Sequence, residues 1–286
     1  YLRIWDVSDI RPAPYLKSVD NLGLNMPASH DDIIFNPNGR EIIALNSNLI
    51  TNWDATNLFE AKNTFTTQTA SLKTMMNSRD GSKLYVCRGG ASPDVYEMGL
   101  PSFNILRTTQ GLKNIESVAV SPDGSKLAFG ENGGLSVWST TGTSITMLHR
   151  VIDVTDAENN GIQHPIRSVD FSPDGTLLLS VGYDNVINLW NPSSSSTTPV
   201  RSKTAAHGDG AVGSDDGSGM YSGRFNTDGT MIVTIAVDSK VRIWRTSDLT
   251  MLHEATGTHS SMNGDTAEVE VSSDRQYIIS WGRDGK

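Results

Sequence analysis

The chain has 286 residues, of which 37% are hydrophobic, and a formal net charge of −9 from 23 Lys and Arg against 32 Asp and Glu. A chain of this length and composition can bury a core without disulfides or a structural metal, which excludes wholesale disorder. The acid excess argues against nucleic acid as a main partner, because phosphate binding needs a basic surface. No apolar run approaches the ~18 residues of a membrane span, so membrane insertion is not expected.

Cysteine usage and the first residues bear on the cellular compartment. The single cysteine, Cys87, cannot form an internal disulfide, so nothing in the sequence indicates an oxidising environment. Residues 1–6 show no signal-sequence pattern and are typical of a β-strand. We therefore expect a cytoplasmic protein, and we expect the chain to be part of a longer one.

A turn motif repeats along the chain, with Ser or Asn three residues before Gly and Asp or Asn directly before that Gly. It stands at residues 36–39, 78–81, 121–124, 172–175 and 226–229, with a degraded copy at 272–275. Asp or Asn followed by Gly favours the left-handed backbone of a tight hairpin. Apolar alternations and runs flank the copies, which indicates that each is a reversal between two β-strands.

An aromatic residue marks the end of a third strand in each repeat. These residues are Trp5, Trp53, Tyr96, Trp138, Trp190 and Trp244, at intervals of 42 to 54 residues. The last repeat supplies two strands, near 267–271 and 277–281, and its missing strands lie at the other end of the chain, near 2–6 and 15–19. Pairing the two ends would complete a four-stranded sheet and remove free sheet edges. The sequence therefore predicts an all-β, six-bladed β-propeller closed by pairing N-terminal with C-terminal strands, with residues 1–286 as one domain.

On these residues the chain resembles the WD40-repeat family. The resemblance is carried by Trp5-Asp6, Trp53-Asp54, the Ser-Pro-Asp-Gly turns and the stretch 166–190. The sequence departs from the family in having no Gly-His dipeptide and in keeping Trp-Asp in only two of the repeats. Seven blades are the commonest count in the family, so a seventh blade outside the chain stays open. The resemblance implies a scaffold for protein–protein interactions that needs no cofactor.

Three repeats place Ser or Thr four residues before an Asp. The sets are Ser180, Asp184 and Trp190; Thr234, Asp238 and Trp244; and Ser280 and Asp284, which Trp5 would complete after ring closure. With His164, His207 or His259 upstream, each set contains the residue types of a Ser-His-Asp catalytic triad. A triad is not expected in triplicate. The resemblance implies instead a buried network in which Asp, His, Ser or Thr and the Trp indole satisfy one another, and we predict that network.

Metal and phosphate sites find little support in the sequence. The loop 209–216 is rich in Asp and Gly but lacks the regular spacing and the distal Glu of a calcium loop. The six histidines include no i, i+4 pair and Cys87 is not near one, so zinc is not indicated. The Gly-rich segment 130–134 connects strands and does not precede a helix, so it is not a phosphate cradle. We predict no cofactor.

Two connections between repeats are longer than the others, 139–166 and 191–221, and they belong to consecutive repeats. In WD-repeat proteins this connection opens onto the face where partners most often dock. The acidic residues in the two insertions are Asp153, Asp156, Glu158, Asp209, Asp215 and Asp216. They predict an acidic patch suited to a basic protein or peptide surface through electrostatic steering. The alternative is that these charges only keep the loops solvated.

The sequence therefore favours a non-catalytic interaction scaffold with other proteins as partners. One alternative is a propeller enzyme, lactonase-like or peptidase-associated, because such folds also use Ser-Pro-Asp-Gly turns followed by Lys-Leu, as at 121–127. It would need polar or metal-binding side chains that converge on a central channel. A structural module of a larger assembly is a further alternative. The recurrent Trp positions favour the scaffold.

Overall fold

The computed structural model describes residues 2–4, 17–19, 32–37, 39–54, 57–66, 72–89, 94–152, 164–207, 219–256, 267–271 and 278–282. These residues form strands, turns and connecting segments. No helix occurs among them, and hence none that is long and apolar enough to cross a membrane. The predicted all-β class is confirmed.

The chain divides into two compact units, the first comprising Tyr1–Arg88 with Val95–Leu106 and the second Gly89–Asp94 with Arg107–Lys286. The first unit holds β1 (Leu2–Ile4), β2 (Lys17–Val19), β3 (Asp32–Phe35), β4 (Glu41–Asn46), β5 (Leu49–Asp54), β6 (Asn57–Thr66), β7 (Leu72–Asn77), β8 (Lys83–Arg88), β9 (Val95–Gly99) and the start of β10 (Asn104–Thr109). The second holds β11 (Ile115–Val120), β12 (Lys126–Glu131), β13 (Gly134–Ser139), β14 (Thr146–Ile152), β15 (Ile166–Phe171), β16 (Leu178–Gly182), β17 (Ile187–Trp190), β18 (Arg201–Lys203), β19 (Met220–Phe225), β20 (Met231–Ala236), β21 (Val241–Arg245), β22 (Met251–Ala255), β23 (Ala267–Val271) and β24 (Ile278–Gly282).

Among the described residues, five antiparallel sheets contain four strands each, paired in chain order. Sheet 1 is β3 to β6, sheet 2 is β7 to β10, sheet 3 is β11 to β14, sheet 4 is β15 to β18 and sheet 5 is β19 to β22. In addition, β1 pairs with β2 and β23 pairs with β24, each as a two-stranded sheet. The count of six blades, the closure by pairing of the chain ends and the single domain over residues 1–286 stay predictions.

The hairpin between the first two strands of a sheet is fixed by hydrogen bonds within the repeated turn motif. In sheet 3, Ser121 Oγ donates to Asp123 Oδ1 at 2.6 Å, and the same carboxylate oxygen accepts from Ser125 N at 3.0 Å. Ser121 Oγ in turn accepts from Lys126 N at 2.9 Å, while Gly124 adopts φ +70°. These hydrogen bonds lower the pKa of Asp123 to about 2, and the bond from Ser121 has the largest effect. Ser, Asp and Gly therefore recur because each supplies one part of this turn.

The sheets of the second unit bury apolar side chains on both faces. On β16 of sheet 4, Leu178 lies in a core shared with Val137 of sheet 3, and the next residue, Leu179, lies in a core shared with Ile232 of sheet 5. Successive residues of a strand point to opposite faces, so both must be apolar when both faces are covered. This explains why the second strands β16 and β20 are apolar apart from Ser180 and Thr234. Sheet 5 is covered in the same way by β23.

The first strands of neighbouring sheets are joined by carboxylates. Asp170 on β15 accepts a hydrogen bond from Phe225 N on β19 at 2.8 Å. In the first unit, Asp32 on β3 makes the corresponding link to β7, accepting from Met75 N at 2.9 Å. Burial raises the pKa of Asp170 to about 6, although the nearby Arg224 cation and the Phe225 amide oppose this shift. Each link satisfies a backbone N–H between two sheets.

We expect Gly182→Ala to lower the free energy of unfolding by at least about 2 kcal/mol, as overpacking against rigid atoms does. A Cβ on Gly182, at the end of β16, would lie 2.3 Å from the backbone oxygen of Pro165. The matched control is Gly223→Ala on β19, where the added methyl meets side-chain carbons of Val181 and Leu179 at 3.2 and 3.3 Å, which can shift. Urea denaturation of both variants measures the difference. Equal losses would contradict the prediction.

We expect Asp170→Asn to become more stable relative to the wild type as the pH rises from about 4 to about 7. Because the pKa of Asp170 is raised, its contribution to stability is complete below the ordinary value of 3.8 and is lost as the pH rises through about 6. Asn cannot ionise and so avoids this loss.

Asp123→Asn is the control for this pH dependence, with the opposite sign. The pKa of Asp123 is lowered to about 2, so its contribution is complete above 3.8 and is lost only as the pH falls below that value. Its difference from the wild type should stay constant between about pH 5 and 7. Urea denaturation at successive pH values gives both differences, and an Asp170→Asn difference that does not change with pH would be the contrary result.

Candidate functional site

The predicted polar set of sheet 5 forms a continuous hydrogen-bonded chain. Trp244 Nε1 on β21 donates to Thr234 Oγ1 on β20 at 2.9 Å, and this oxygen lies 2.7 Å from His207 Nε2. His207 Nδ1 lies 3.0 Å from Asp238 Oδ1. Burial lowers the pKa of His207, against the opposing effect of Asp238, and so favours the neutral ring. Since the indole can only donate, the proton order that satisfies every atom runs from Trp244 through Thr234 and His207 to Asp238.

The Asp238 end of this network is held by charge. Arg242 Nη1 lies 2.7 Å from Asp238 Oδ2, and Arg242 Nη2 lies 2.7 Å from Glu254 on β22. Lys240 Nζ reaches Glu254 at 2.9 Å. Burial opposes the ionisation of Asp238, but the hydrogen bond from His207 and the charge of Arg242 outweigh it, and the pKa of Asp238 is lowered. The carboxylate therefore stays charged and anchors the imidazole.

The corresponding set of sheet 4 is assembled only in part. Trp190 Nε1 donates to Ser180 Oγ at 2.9 Å, which reproduces the Trp244–Thr234 contact. Asp184 accepts from Val186 N in the turn between β16 and β17 at 3.2 Å. His164 is buried, but its Nε2 makes no hydrogen bond within the described part of the chain. The structure thus brings Ser180 and Trp190 together and leaves His164 Nε2 outside the pair.

Sheet 3 contains a buried network that the sequence analysis did not predict. Trp138 Nε1 donates to Ser136 Oγ at 2.9 Å, and Ser136 Oγ donates to Glu131. Glu131, which is 2% exposed, also accepts from Arg150 Nη2 at 2.8 Å and from Lys113 N at 2.7 Å. This buried carboxyl group is paired with Arg150, so it supports the fold of sheet 3.

The sequence did carry a signal for this network. Ten residues before Trp138 stands Ala128, where the sets of sheets 4 and 5 have a hydroxyl. The hydroxyl is supplied instead by Ser136, two residues before the Trp on the same strand. In sheet 3 the missing hydroxyl at this spacing is the signal that another residue pairs with Trp138.

Several predicted residues cannot be placed. Ser280 lies on β24, whereas Asp284 and Trp5 lie outside the described residues. The six acidic residues of the predicted patch, Asp153, Asp156, Glu158, Asp209, Asp215 and Asp216, also lie outside them. The acidic patch accordingly stays a prediction.

The chemistry available to the Thr234 set is limited by its burial. Thr234 is fully buried and its oxygen already accepts the Trp244 proton, so no substrate carbonyl can approach it. Cys87 is also fully buried, and burial raises the pKa of its thiol, which makes it a poor nucleophile. Within the described ranges, no three His, Cys, Asp or Glu side chains gather as a metal site would require. The Thr234 set therefore stabilises sheet 5.

We expect Thr234→Val to lower the free energy of unfolding by about 2–4 kcal/mol, because it leaves both the Trp244 N–H and the His207 nitrogen buried without a partner. Ser180→Ala is the comparison, and we expect it to cost about 1–2 kcal/mol, because only the Trp190 N–H loses its partner there. Chemical denaturation measures both. A loss for Ser180→Ala equal to or larger than that for Thr234→Val would show that the His207 link does not contribute.

Comparisons with known proteins agree with this architecture. The family model for WD40, described as WD domain, G-beta repeat, matches residues 159–191, which include the Ser-Pro-Asp-Gly turn at 172–175 and Trp190. A search of curated proteins finds no match. Among solved structures, the Cps50 (Swd1) β-propeller domain of Myceliophteria thermophila is similar with a TM-score of 0.72 and 14% sequence identity, covering 91% of this chain and 81% of that one. The chain therefore has the β-propeller fold and carries a WD40 repeat at residues 159–191.

Proposed function

We propose that the chain is a non-catalytic scaffold that holds partner proteins on the loops of its repeats. The observation that carries this proposal is that the Thr, His and Asp residues of sheet 5 hydrogen-bond to one another inside the fold. In sheet 5 the Thr234 hydroxyl is buried beneath Trp244 and bonded to His207, so the residue types of a catalytic triad serve to join strands. Rigid repeated sheets offer an extended binding surface, and the function of such a fold lies in the sites that its loops carry.

We further propose that the docking surface includes the connections from β14 to β15 and from β18 to β19. β15 and β19 are the first strands of sheets 4 and 5, and the Asp170–Phe225 hydrogen bond joins them directly. The two connections therefore enter adjacent strands, which supports placing their acidic residues in one patch. Those residues are Asp153, Asp156, Glu158, Asp209, Asp215 and Asp216.

Two cations of the sheets, Arg150 and Arg242, are already paired with carboxylates of their own sheets, which supports a net acidic surface. Arg150, two residues before the end of β14, is bonded to Glu131. Arg242 in sheet 5 lies between Asp238 and Glu254. Neither guanidinium is free to neutralise loop carboxylates. A basic surface on a partner protein is the complementary ligand.

Carbodiimide crosslinking tests this proposal, because it joins carboxylates directly to lysine amines in contact with them. The purified chain is crosslinked in native extract at low salt, and the crosslinked peptides are identified by mass spectrometry. We expect links from the six loop acids to lysines of a specific partner. The absence of any specific partner would refute the scaffold. A partner linked only at other positions would refute the acidic patch and leave the scaffold.

Charge-neutral variants then measure the contribution of the patch to binding of the partner so identified. Replacing all six acids with Asn or Gln should lower the association rate about tenfold or more at low salt and flatten its salt dependence. Each connection changed alone should give a smaller effect. Asp248→Asn, at an exposed ion pair with Arg245 before β22, is the single-charge control and should leave the rate unchanged. Unchanged kinetics in the six-fold variant would contradict the proposed patch.

A further inference from the structure

The loop between β17 and β18, residues 191–200, carries an unusual run of hydroxyl side chains. These are Ser193, Ser194, Ser195, Ser196, Thr197 and Thr198, and all except Ser194 are exposed. The loop is joined at its end to sheet 4, where Val200 N donates to Leu189 O at 2.7 Å. Most of the hydroxyls are therefore exposed to solvent on a loop whose end is hydrogen-bonded to sheet 4.

Two of the hydroxyls serve the loop itself. Ser194 Oγ accepts from Ser196 N at 3.1 Å. Ser196 Oγ accepts from Thr198 N at 3.1 Å and donates to Thr198 O at 3.4 Å. Such side-chain to backbone bonds define local turns. Ser194 and Ser196 therefore shape the loop, and the Thr198 hydroxyl takes no part in these bonds.

Thr198 has the surroundings of a phosphate acceptor. Pro199 follows it and restricts its backbone to extended conformations. Arg201 stands three residues after Thr198 and Lys203 five residues after, on β18. No acidic residue occurs between Asp184 and Asp209, so this segment is locally basic in a chain of net charge −9. An exposed hydroxyl followed by proline, with a cation three residues after it, fits a proline-directed kinase that recognises a base at that position.

The other Ser-Pro pairs of the described chain lack these features. Ser121 and Ser172 precede proline, but both are buried. Their hydroxyls donate to Asp123 and Asp174, each at 2.6 Å. The third residue after each is glycine, with no cation. Burial and the hydrogen bonds of the turn make these hydroxyls inaccessible to a kinase, whereas Thr198 is exposed to solvent.

We propose that Thr198 is a phosphorylation site for a proline-directed protein kinase. In the transfer, Thr198 Oγ1 forms a bond to the γ-phosphorus of ATP while the bond from that phosphorus to the bridging oxygen breaks. ADP leaves with the electron pair, and the hydroxyl proton passes to the carboxylate base of the kinase. The phosphate adds a charge of about −2 beside Arg201 and Lys203, so it changes the loop from basic to nearly neutral. This inference does not depend on the proposed scaffold function.

The test uses the purified folded chain with ATP and a proline-directed kinase that prefers a cation at the third position. Intact mass should show one phosphate per chain, and fragmentation should place it on Thr198. Thr198→Ala should abolish incorporation, and the matched neighbour Thr197→Ala should retain it at the wild-type rate. Arg201→Gln should lower kcat/KM about fivefold, as the loss of one exposed charge pair does. Unchanged unfolding midpoints confirm that the variants are folded.

Each contrary result overturns the proposal. Phosphate on another loop hydroxyl, or on Ser92, which also precedes proline but lies outside the described residues, would assign the site elsewhere. Incorporation into Thr198→Ala at the wild-type rate would exclude Thr198. If the folded chain takes no phosphate while a peptide of residues 192–204 does, the loop is closed to the enzyme. If neither is modified, the sequence is not a substrate.

Discussion

Burial of each sheet on both faces is the constraint on which the rest of the second unit depends. A middle strand such as β16 has the core of sheet 3 on one side and that of sheet 5 on the other, so no side chain there reaches water. An indole N–H on the next strand must then find its partner inside the sheet, because an unsatisfied buried donor is costly. The Trp–Ser/Thr contacts follow from that requirement. They stabilise the fold, and the bonded, buried hydroxyls cannot act as nucleophiles.

The sheets meet this requirement with different residues. In sheets 4 and 5 the acceptor comes from the second strand, as Ser180 and Thr234, whereas sheet 3 uses Ser136 from the third strand. In the first unit, Trp53 Nε1 has no partner among the described residues, and Ala44, two residues beyond its cross-strand partner Ile42, stands where the hydroxyl would be. The repeats therefore share a geometry without sharing side chains. The same separation of geometry from side-chain identity is consistent with a TM-score of 0.72 at 14% identity.

Charged pairs in sheets 3 and 5 occupy equivalent positions although the residues differ. Ser136 pairs with Arg150 across β13 and β14, and the equivalent pair in sheet 5 is Arg242 with Glu254. In one sheet the cation stands on the outer strand beside Glu131, and in the other it stands on the third strand beside Asp238. Both arrangements neutralise a carboxylate near the end of the second strand. In both sheets this carboxylate is therefore paired with a cation of its own sheet.

The strands, the hairpins and their repetition could be predicted from the residues alone, because each depends on contacts that are short in sequence. The Ser-x-Asp-Gly turn is local, since its bonds join residues two to five positions apart, and the aromatic at the end of the third strand marks each repeat. The contact of Thr234 with Trp244 was also predictable, because the hairpin places Trp244 opposite Ile232 and the alternation of a strand puts Thr234, two residues further on, on the same face.

Hydrogen-bond partners that come from outside a hairpin could not be predicted from the residues, because they depend on how the sheets pack. His207 joins its network and His164 Nε2 does not, although both precede a first strand. Lys113 and Arg150 converge on Glu131 from segments 18 and 19 residues away, and Asp170 reaches Phe225 from 55 residues away. The spacing of residues along the chain does not predict these contacts. They depend on the path of connecting segments of different length and on how one sheet packs against the next.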